Sequence, residues 1–304
     1  MAETVALIGA GAMAQLYAGL LQQQGITPVL LRRPSAATPT SSHCQSHQLQ
    51  WLDGHHSQHD VVHQPSNFPC QPTAVLLLTK AQHAIAAATP VLQWLPQHIP
   101  LILLHNGMGP QHALAARYPQ HNIWAGSVTD GAVRLGQAQV AQRGVGVRAA
   151  GALTGQTQLP ECLRRLGFQQ ADNIDLLLWH KLSVNAVINL LCARDRISNG
   201  VLLTPPYQAE INALCTELAQ LGQALGFRET APQCQQRILT VAKATASNRC
   251  STLQDVEAAR PTELANISGY VLQQAQQHGL SLPHHQRSYQ HHQAAVEPPL
   301  SQSH

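Results

Sequence analysis

Lys181, Asn185 and Asn189 recur at every fourth position through residues 179–191, an otherwise mostly apolar run reading WHKLSVNAVINLL. On an α-helix, positions i, i+4 and i+8 lie on one face. Leu182, Val184, Val187, Ile188 and Leu191 cover most of the remaining circumference. The spacing therefore predicts a largely buried helix bearing a narrow stripe of one cation and two carboxamides. Burying an ammonium without a partner costs several kcal/mol, so such a stripe needs a ligand cleft beside it. There the ammonium can deliver a proton and stabilise a developing oxyanion. Each amide can donate to one oxygen and accept from a hydroxyl. The other reading of Asn185 and Asn189 is a pair of helix–helix hydrogen bonds.

A second constellation opens the chain. Gly9, Ala10, Gly11, Ala12, Met13 and Ala14 follow a strand-like TVALI and lead into a helical pattern, the setting a dinucleotide fingerprint requires. Gly9 suits the tight turn, Gly11 lets the backbone approach a pyrophosphate, and Ala14 supplies the small third residue that helix–strand packing needs. The pyrophosphate would sit at the positive end of the helix. About twenty residues on, the second strand ends in Arg32-Arg33 rather than in an acid, which favours the 2′-phosphate of NADP over the free ribose hydroxyl of NAD. Lys80 and Asn106 stand at two later strand ends, where ligands of open α/β sheets bind. Either is also an ordinary turn residue.

These side chains need a scaffold, and the first half of the sequence alternates strand and helix patterns. Residues 4–9, 28–32, 74–79, 101–106 and 123–128 are apolar on both faces, as strands of a covered parallel sheet are. Residues 13–24 read as a helix closed by Gly25. Residues 129–150 turn Gly-rich with alternating Val and read as two or three short antiparallel strands. Beyond residue 172 helical patterns take over, at 174–193, 207–225, 232–246 and 262–278. The expected fold is α/β, a Rossmann-type doubly wound domain over 1–172 followed by an all-helical domain over 173–283. The Lys181 helix then lies just past the domain junction, where ligand clefts are common. Residues 284–304 are polar, Pro-containing and aperiodic, and are expected to form a flexible tail.

Composition narrows the classes of function. Charged residues make up 11% of 304, and the formal charge is +3 with no Lys/Arg-dense stripe, which argues against a nucleic-acid binder. The N-terminus lacks the pattern of a secretory signal, and no uninterrupted apolar stretch reaches the ~20 residues that span a bilayer. Seven scattered cysteines without a CxxC pair read as reduced thiols, so a cytoplasmic location is expected. His55, His59 and His63 fall at i, i+4, i+8, but no carboxylate or cysteine pattern accompanies them and no metal site is expected.

Taken together, GAGAMA (9–14), LLRRP (30–34), LLLTK (76–80), LLHNGMG (103–109), HKLSVNAVIN (180–189), ATASNRCSTLQD (244–255) and RPTELANISGY (260–270) resemble the ketopantoate reductase (2-dehydropantoate 2-reductase) family. The blocks stand in family order across most of residues 1–283. The resemblance implies NADPH-dependent reduction of ketopantoate to (R)-pantoate in pantothenate and coenzyme A biosynthesis. It also implies a helical second domain like the C-terminal part of 6-phosphogluconate dehydrogenase, and a monomer or homodimer acting on a small molecule. Lys181 then corresponds to the general acid and Glu263 to a catalytic carboxylate. Asn106, Asn185, Asn189, Asn199, Asn248 and Ser251 correspond to substrate contacts. Gly9 to Ala14, Arg32 and Lys80 would hold NADP(H), with Asn106 and Glu263 also against the cofactor. Ala14 departs from a third glycine, and Arg33 adds a second charge. From the residues alone, Glu263 reads first as a first-turn carboxylate favoured by the helix dipole after Pro261. A reductase of another branched 2-keto acid and a non-catalytic NADP-binding sensor are the alternative readings.

Overall fold

The computed structural model describes residues 3–33, 41–67 and 69–296. Two compact units make up the chain. The first takes residues up to His105 together with Gly109–Ile174, and the second takes Asn106–Met108 and the residues from Asp175 onward.

In the first unit the chain runs β1 (Thr4–Ile8), α1 (Ala12–Gln23), β2 (Thr27–Arg32), β3 (His43–Gln50), β4 (His56–Pro65), β5 (Ala74–Leu77) and α2 (Ala81–Leu92). It continues through β6 (Leu101–Leu103), α3 (Pro110–Arg117), β7 (Ile123–Val128), β8 (Gly131–Gly136), β9 (Gln139–Gly144), β10 (Arg148–Ala152), α4 (Glu161–Arg165) and β11 (Gln169–Gln170). The strands join one sheet in the order β11-β10-β7-β6-β5-β1-β2-β4-β3-β9-β8. β7, β6, β5, β1, β2 and β4 pair in parallel.

Side-chain alternation along β1 shows why the sheet is covered on both faces. Val5 and Leu7 enter one core with Tyr17, Leu21 and Trp124, while Ala6 and Ile8 enter the other with Ala84, Val91 and Leu114. Each fully buried Leu or Val removes apolar surface worth about 1.5–3 kcal/mol from water. A strand buried on both sides has no polar face to show, hence the continuous apolar runs. This is the doubly wound arrangement that the sequence predicts.

Two differences concern the sheet. β3 and β4 form an antiparallel hairpin, with Ser46 opposite Asp60 and His47 opposite His59, where the sequence reading placed no strand. Their segments alternate with period two, but Gln and His occupy both faces, so no hydropathy contrast marks them. His59 and His63 accordingly lie on a strand, where a spacing of four keeps side chains on one face as it does on a helix. The strands of 129–150 also separate. β8 and β9 pair with each other and extend the sheet beyond β3, whereas β10 returns antiparallel to β7.

The second unit is helical: α5 (Ile174–Asp195), a 3₁₀ turn at Asn199–Leu203, α6 (Pro205–Ala224), α7 (Ala231–Ala244), α8 (Ser251–Glu257), a 3₁₀ turn at Leu264–Asn266, α9 (Ser268–Gln277) and α10 (Pro283–Val296). Thr230 and Gln233 start α7 with a reciprocal capping box. α5 is long and apolar enough to cross a membrane, yet most of its most apolar stretch is buried inside the protein. The single helix expected over 262–278 is interrupted at Ile267, whose φ of −110° and ψ of −84° leave the helical region. Glu263 thus precedes a 3₁₀ turn and is not in the first turn of a long helix.

The expected flexible tail is corrected over its first part, because 283–296 form α10. His285, Ser288 and His292, at helical spacing, are buried. The Glu217 carboxylate accepts from the backbone N–H of His284 at 2.7 Å and of His285 at 2.9 Å, satisfying two orphan donors of the first turn. Ser288 donates to Glu210 at 2.7 Å. The inward face is polar, and ring nitrogens of His285 and His292 are buried there without a hydrogen-bond partner among the described residues, so hydropathy could not reveal it. The remaining residues, 297–304, lie outside the described ones.

Candidate active site

The first unit holds a pocket of about 510 Å³ at the carboxyl ends of β1 and β2. Gly9 and Ala10 line it with Gln15, Arg32, Arg33, Arg134 and a group of histidines. Gly9 adopts φ +123°, and a Cβ there would stand 3.2 Å from the Leu78 backbone, so both conformation and space demand glycine. Gly11 is the N-cap of α1, with open space where a Cβ would be. No side chain caps the helix and no acid occupies its first turn, so its N–H groups are available to an anion. Ala12 and Met13 begin that turn half-buried, and Ala14 is fully buried in the core beneath it.

Arg32 ends β2 and donates from Nη2 to Gln45 Oε1 at 2.8 Å, while its buried Nε has no hydrogen-bond partner among the described residues. Burial, and then the nearby Arg134 cation, pull the Arg32 guanidinium below its ordinary pKa. His47 and His63 stack behind it with ring centroids 5.0 Å apart and Nε2 atoms 2.7 Å apart. Burial, reinforced by Arg32, His47 and His43, pushes His63 down to about 3. No carboxylate lines this pocket among the described residues. Backbone donors, a helix terminus and three arginines fit a phosphate-bearing dinucleotide. Lys80, the N-cap of α2, is half-buried but is not among the lining residues.

The other predicted residues belong to the second unit. Lys181 and Asn185 are half-buried along α5, and Asn189 is buried further along. The Cys250 thiol reaches the Asn189 carbonyl at 4.0 Å, which brings Ser251, the exposed first residue of α8, to this end of the stripe. Asn199 and Asn248 come together through the backbone, Asn199 N–H donating to the Asn248 carbonyl at 3.0 Å. The Asn199 amide also donates to Thr245 Oγ1 at 2.9 Å, leaving its buried Oδ1 without a partner among the described residues.

Asn106 Nδ2 donates to Glu263 Oε2 at 3.2 Å, so these two predicted residues meet. Gly107 makes the meeting feasible. Its φ is +82°, and a Cβ would fall 2.4 Å from the Asn266 carbonyl oxygen. Beside Lys181, His180 Nε2 stands 3.8 Å from Glu229, whose buried carboxylate Arg237 binds with both terminal nitrogens. Neither this ion pair nor His47 and Arg134 is anticipated from the sequence, and His63 is weighed there only as a metal ligand. Both histidines lie on strands whose two faces carry Gln and His, so no pattern marks them. Arg134 was hidden as a lone cation in a Gly-rich run.

The comparisons with known proteins agree with this architecture. The sequence profile described as ketopantoate reductase PanE/ApbA matches residues 5–155, and the profile of its C-terminal part matches residues 173–296. The 2-dehydropantoate 2-reductase of Salmonella typhimurium is 30% identical over 292 residues, covering 94% of this chain and 93% of that protein. The crystal structure of a probable 2-dehydropantoate 2-reductase from Bacillus subtilis is 28% identical with a TM-score of 0.81, covering 97% of this chain and 100% of that one. D-mandelate dehydrogenase in a ternary structure with NADH and anilino(oxo)acetate gives a TM-score of 0.84 at 19% identity, covering 96% and 97%, a likeness of fold.

Proposed function

The chain belongs to the ketopantoate reductase family of oxidoreductases, and from that premise we propose that it reduces 2-dehydropantoate to (R)-pantoate with NADPH, using Lys181 as the general acid. The observation that carries this reading is the stripe of Lys181, Asn185 and Asn189 on a helix whose other residues are largely buried. When bound, the nicotinamide supplies the hydride that reduces the ketone.

The protein's share is position and charge. The Lys181 ammonium stabilises negative charge growing on the former carbonyl oxygen and gives that oxygen its proton. Asn185 and Asn189 hold the substrate oxygens by amide donors and acceptors. Glu263, oriented by Asn106, accepts from the primary alcohol and selects against keto acids without it. Asn248 and Ser251 present polar groups for the carboxylate, and Asn199 anchors the loop that carries them. Gly9, Ala10 and Gly11 with the first turn of α1 hold the pyrophosphate, and Arg32 meets the 2′-phosphate. Lys80 offers a further cation for phosphate or ribose. The product is the branched hydroxy acid from which pantothenate and coenzyme A are built, consistent with a cytoplasmic enzyme acting on a free small molecule.

The deciding experiment mixes the protein, NADPH and ketopantoate and follows loss of the reduced nicotinamide absorbance. Turnover is expected, and its absence overturns the proposal. A panel of 2-keto acids then tests the substrate. A preference for acids lacking the primary hydroxyl would overturn the assignment of ketopantoate while keeping a reductase.

A further inference from the structure

Arg134 has no part in the glycine fingerprint or in the basic end of β2, yet it stands over both. It projects from β8, and its Nη2 donates to the Ala10 carbonyl at 3.0 Å and to the Gln137 carbonyl at 3.4 Å. The guanidinium is thereby fixed beside the glycine turn. Both bonds use one nitrogen, so Nε and Nη1 remain to donate to a ligand.

Across the same pocket, Gln45 holds one end of the Arg32 guanidinium while its Nε is buried without a partner among the described residues. The two cations are close enough to act on each other, and among the described residues no carboxylate lines the pocket to offset them. Like charges held together in this way raise the free energy of the empty site, and an anion between them lowers it. The His47–His63 pair completes the wall. With 2.7 Å between Nε2 atoms, one ring must donate and the other accept, so both rings cannot be imidazolium at once. It presents polar rings to the pocket without adding two further full charges.

We propose that Arg134 on β8 is the second jaw of a phosphate clamp, closing with Arg32 on the 2′-phosphate of NADPH and so setting the preference for NADPH over NADH. This rests on the NADPH reading above. Arg134 is a specificity-determining residue here, and its bond to the Ala10 carbonyl makes its position depend on the glycine turn itself. The pocket thus reads the phosphate from two strands, β2 and β8, that both pack against α1.

The test is a fluorescence titration of the full chain with NADPH, NADH, 2′-AMP and 5′-AMP, before and after Arg134→Ala. A charge-assisted bond to phosphate predicts a fall of about 10- to 100-fold in NADPH affinity. NADH affinity should fall far less, so the ratio between the two cofactors collapses. Binding of 2′-AMP should weaken while that of 5′-AMP changes little, and Arg134→Lys should restore part of the ratio. Arg134→Gln removes the charge while keeping a polar amide donor, and gives the same comparison in a second variant. Equal weakening of NADPH and NADH would overturn the proposal and assign Arg134 to the pyrophosphate or to the turn. A wild-type chain that prefers NADPH, beside an R134A variant that keeps the preference, would overturn this proposal alone. A wild-type chain with no preference would overturn the NADPH reading with it.

Discussion

Asn106 and Glu263 stand 157 residues apart in sequence and share a hydrogen bond of 3.2 Å from the amide to the carboxylate. The bond fixes which way the carboxylate faces, and a fixed acceptor discriminates better than a mobile one. Replacing Glu263 by Gln removes the charge while keeping the shape. The expected result is a drop of about 10- to 100-fold in kcat/KM for ketopantoate, since a hydrogen bond to a charged group contributes about 1.5–3 kcal/mol. Asn106→Ala should cost less, and the double variant should cost less than the two single effects multiplied. Steady-state kinetics on the four proteins decides it, and strict additivity would show that the two residues act independently.

Lys181 is the proposed proton donor. Lys181→Ala should lower kcat by about 10² or more, because a positioned acid contributes 10²–10⁴. Lys181 does not line the pocket at the glycine turn, so NADPH affinity measured by titration should fall far less than kcat. A variant with full kcat would assign proton delivery to another group.

Much of this was legible in the sequence, and the missed secondary-structure elements share one cause. β1, β2, β5, β6 and β7 were readable because burial on both faces leaves nothing but apolar residues. The Lys181 stripe was readable because three polar residues interrupt an apolar helix at one spacing. β3, β4 and α10 were not, because Gln and His fill positions that other chains give to Val, Leu or Ile. His47, His63, His285 and His292 are all buried, and hydropathy counts each of them as surface. Arg134 was illegible for a different reason. Its meaning comes from the Ala10 carbonyl 124 residues away, a contact that only the fold creates.

Gly107 carries a prediction that does not depend on the substrate. Its φ of +82° already disfavours any side chain, and the Asn266 carbonyl would stand 2.4 Å from a new Cβ. Gly107→Ala should therefore cost about 1–3 kcal/mol in backbone strain, with steric displacement added. A lower urea midpoint is the expected outcome, accompanied by a raised KM as the neighbouring Asn106 is shifted. An unchanged midpoint would show that the turn yields freely, contrary to the close approach seen at Asn266.

The histidine pair behind Arg32 makes stability depend on pH. His63 is pushed down to about 3 by burial first, then by Arg32, His47 and His43. His47 is lowered by burial, then by Arg32, His59 and Arg134. In the unfolded chain each histidine titrates near 6.5. Between that value and the folded one, the unfolded state binds more protons, so stability rises with pH through the window. The contribution of His63 is therefore fully present above about pH 6.5 and is lost progressively as the pH falls toward 3. One proton taken up on unfolding corresponds to a slope of at most about 1.4 kcal/mol per pH unit. Urea midpoints measured from pH 7.5 to pH 5 should decline, in a range where most carboxylates are still ionised. His63→Gln removes one of the titrating groups while keeping a polar side chain against His47. Its absolute stability is expected to change, but the decisive quantity is the slope, which should be shallower than that of the wild type. Parallel pH profiles for the two proteins would show that His63 takes up no proton on unfolding and would overturn its assignment as a buried neutral ring.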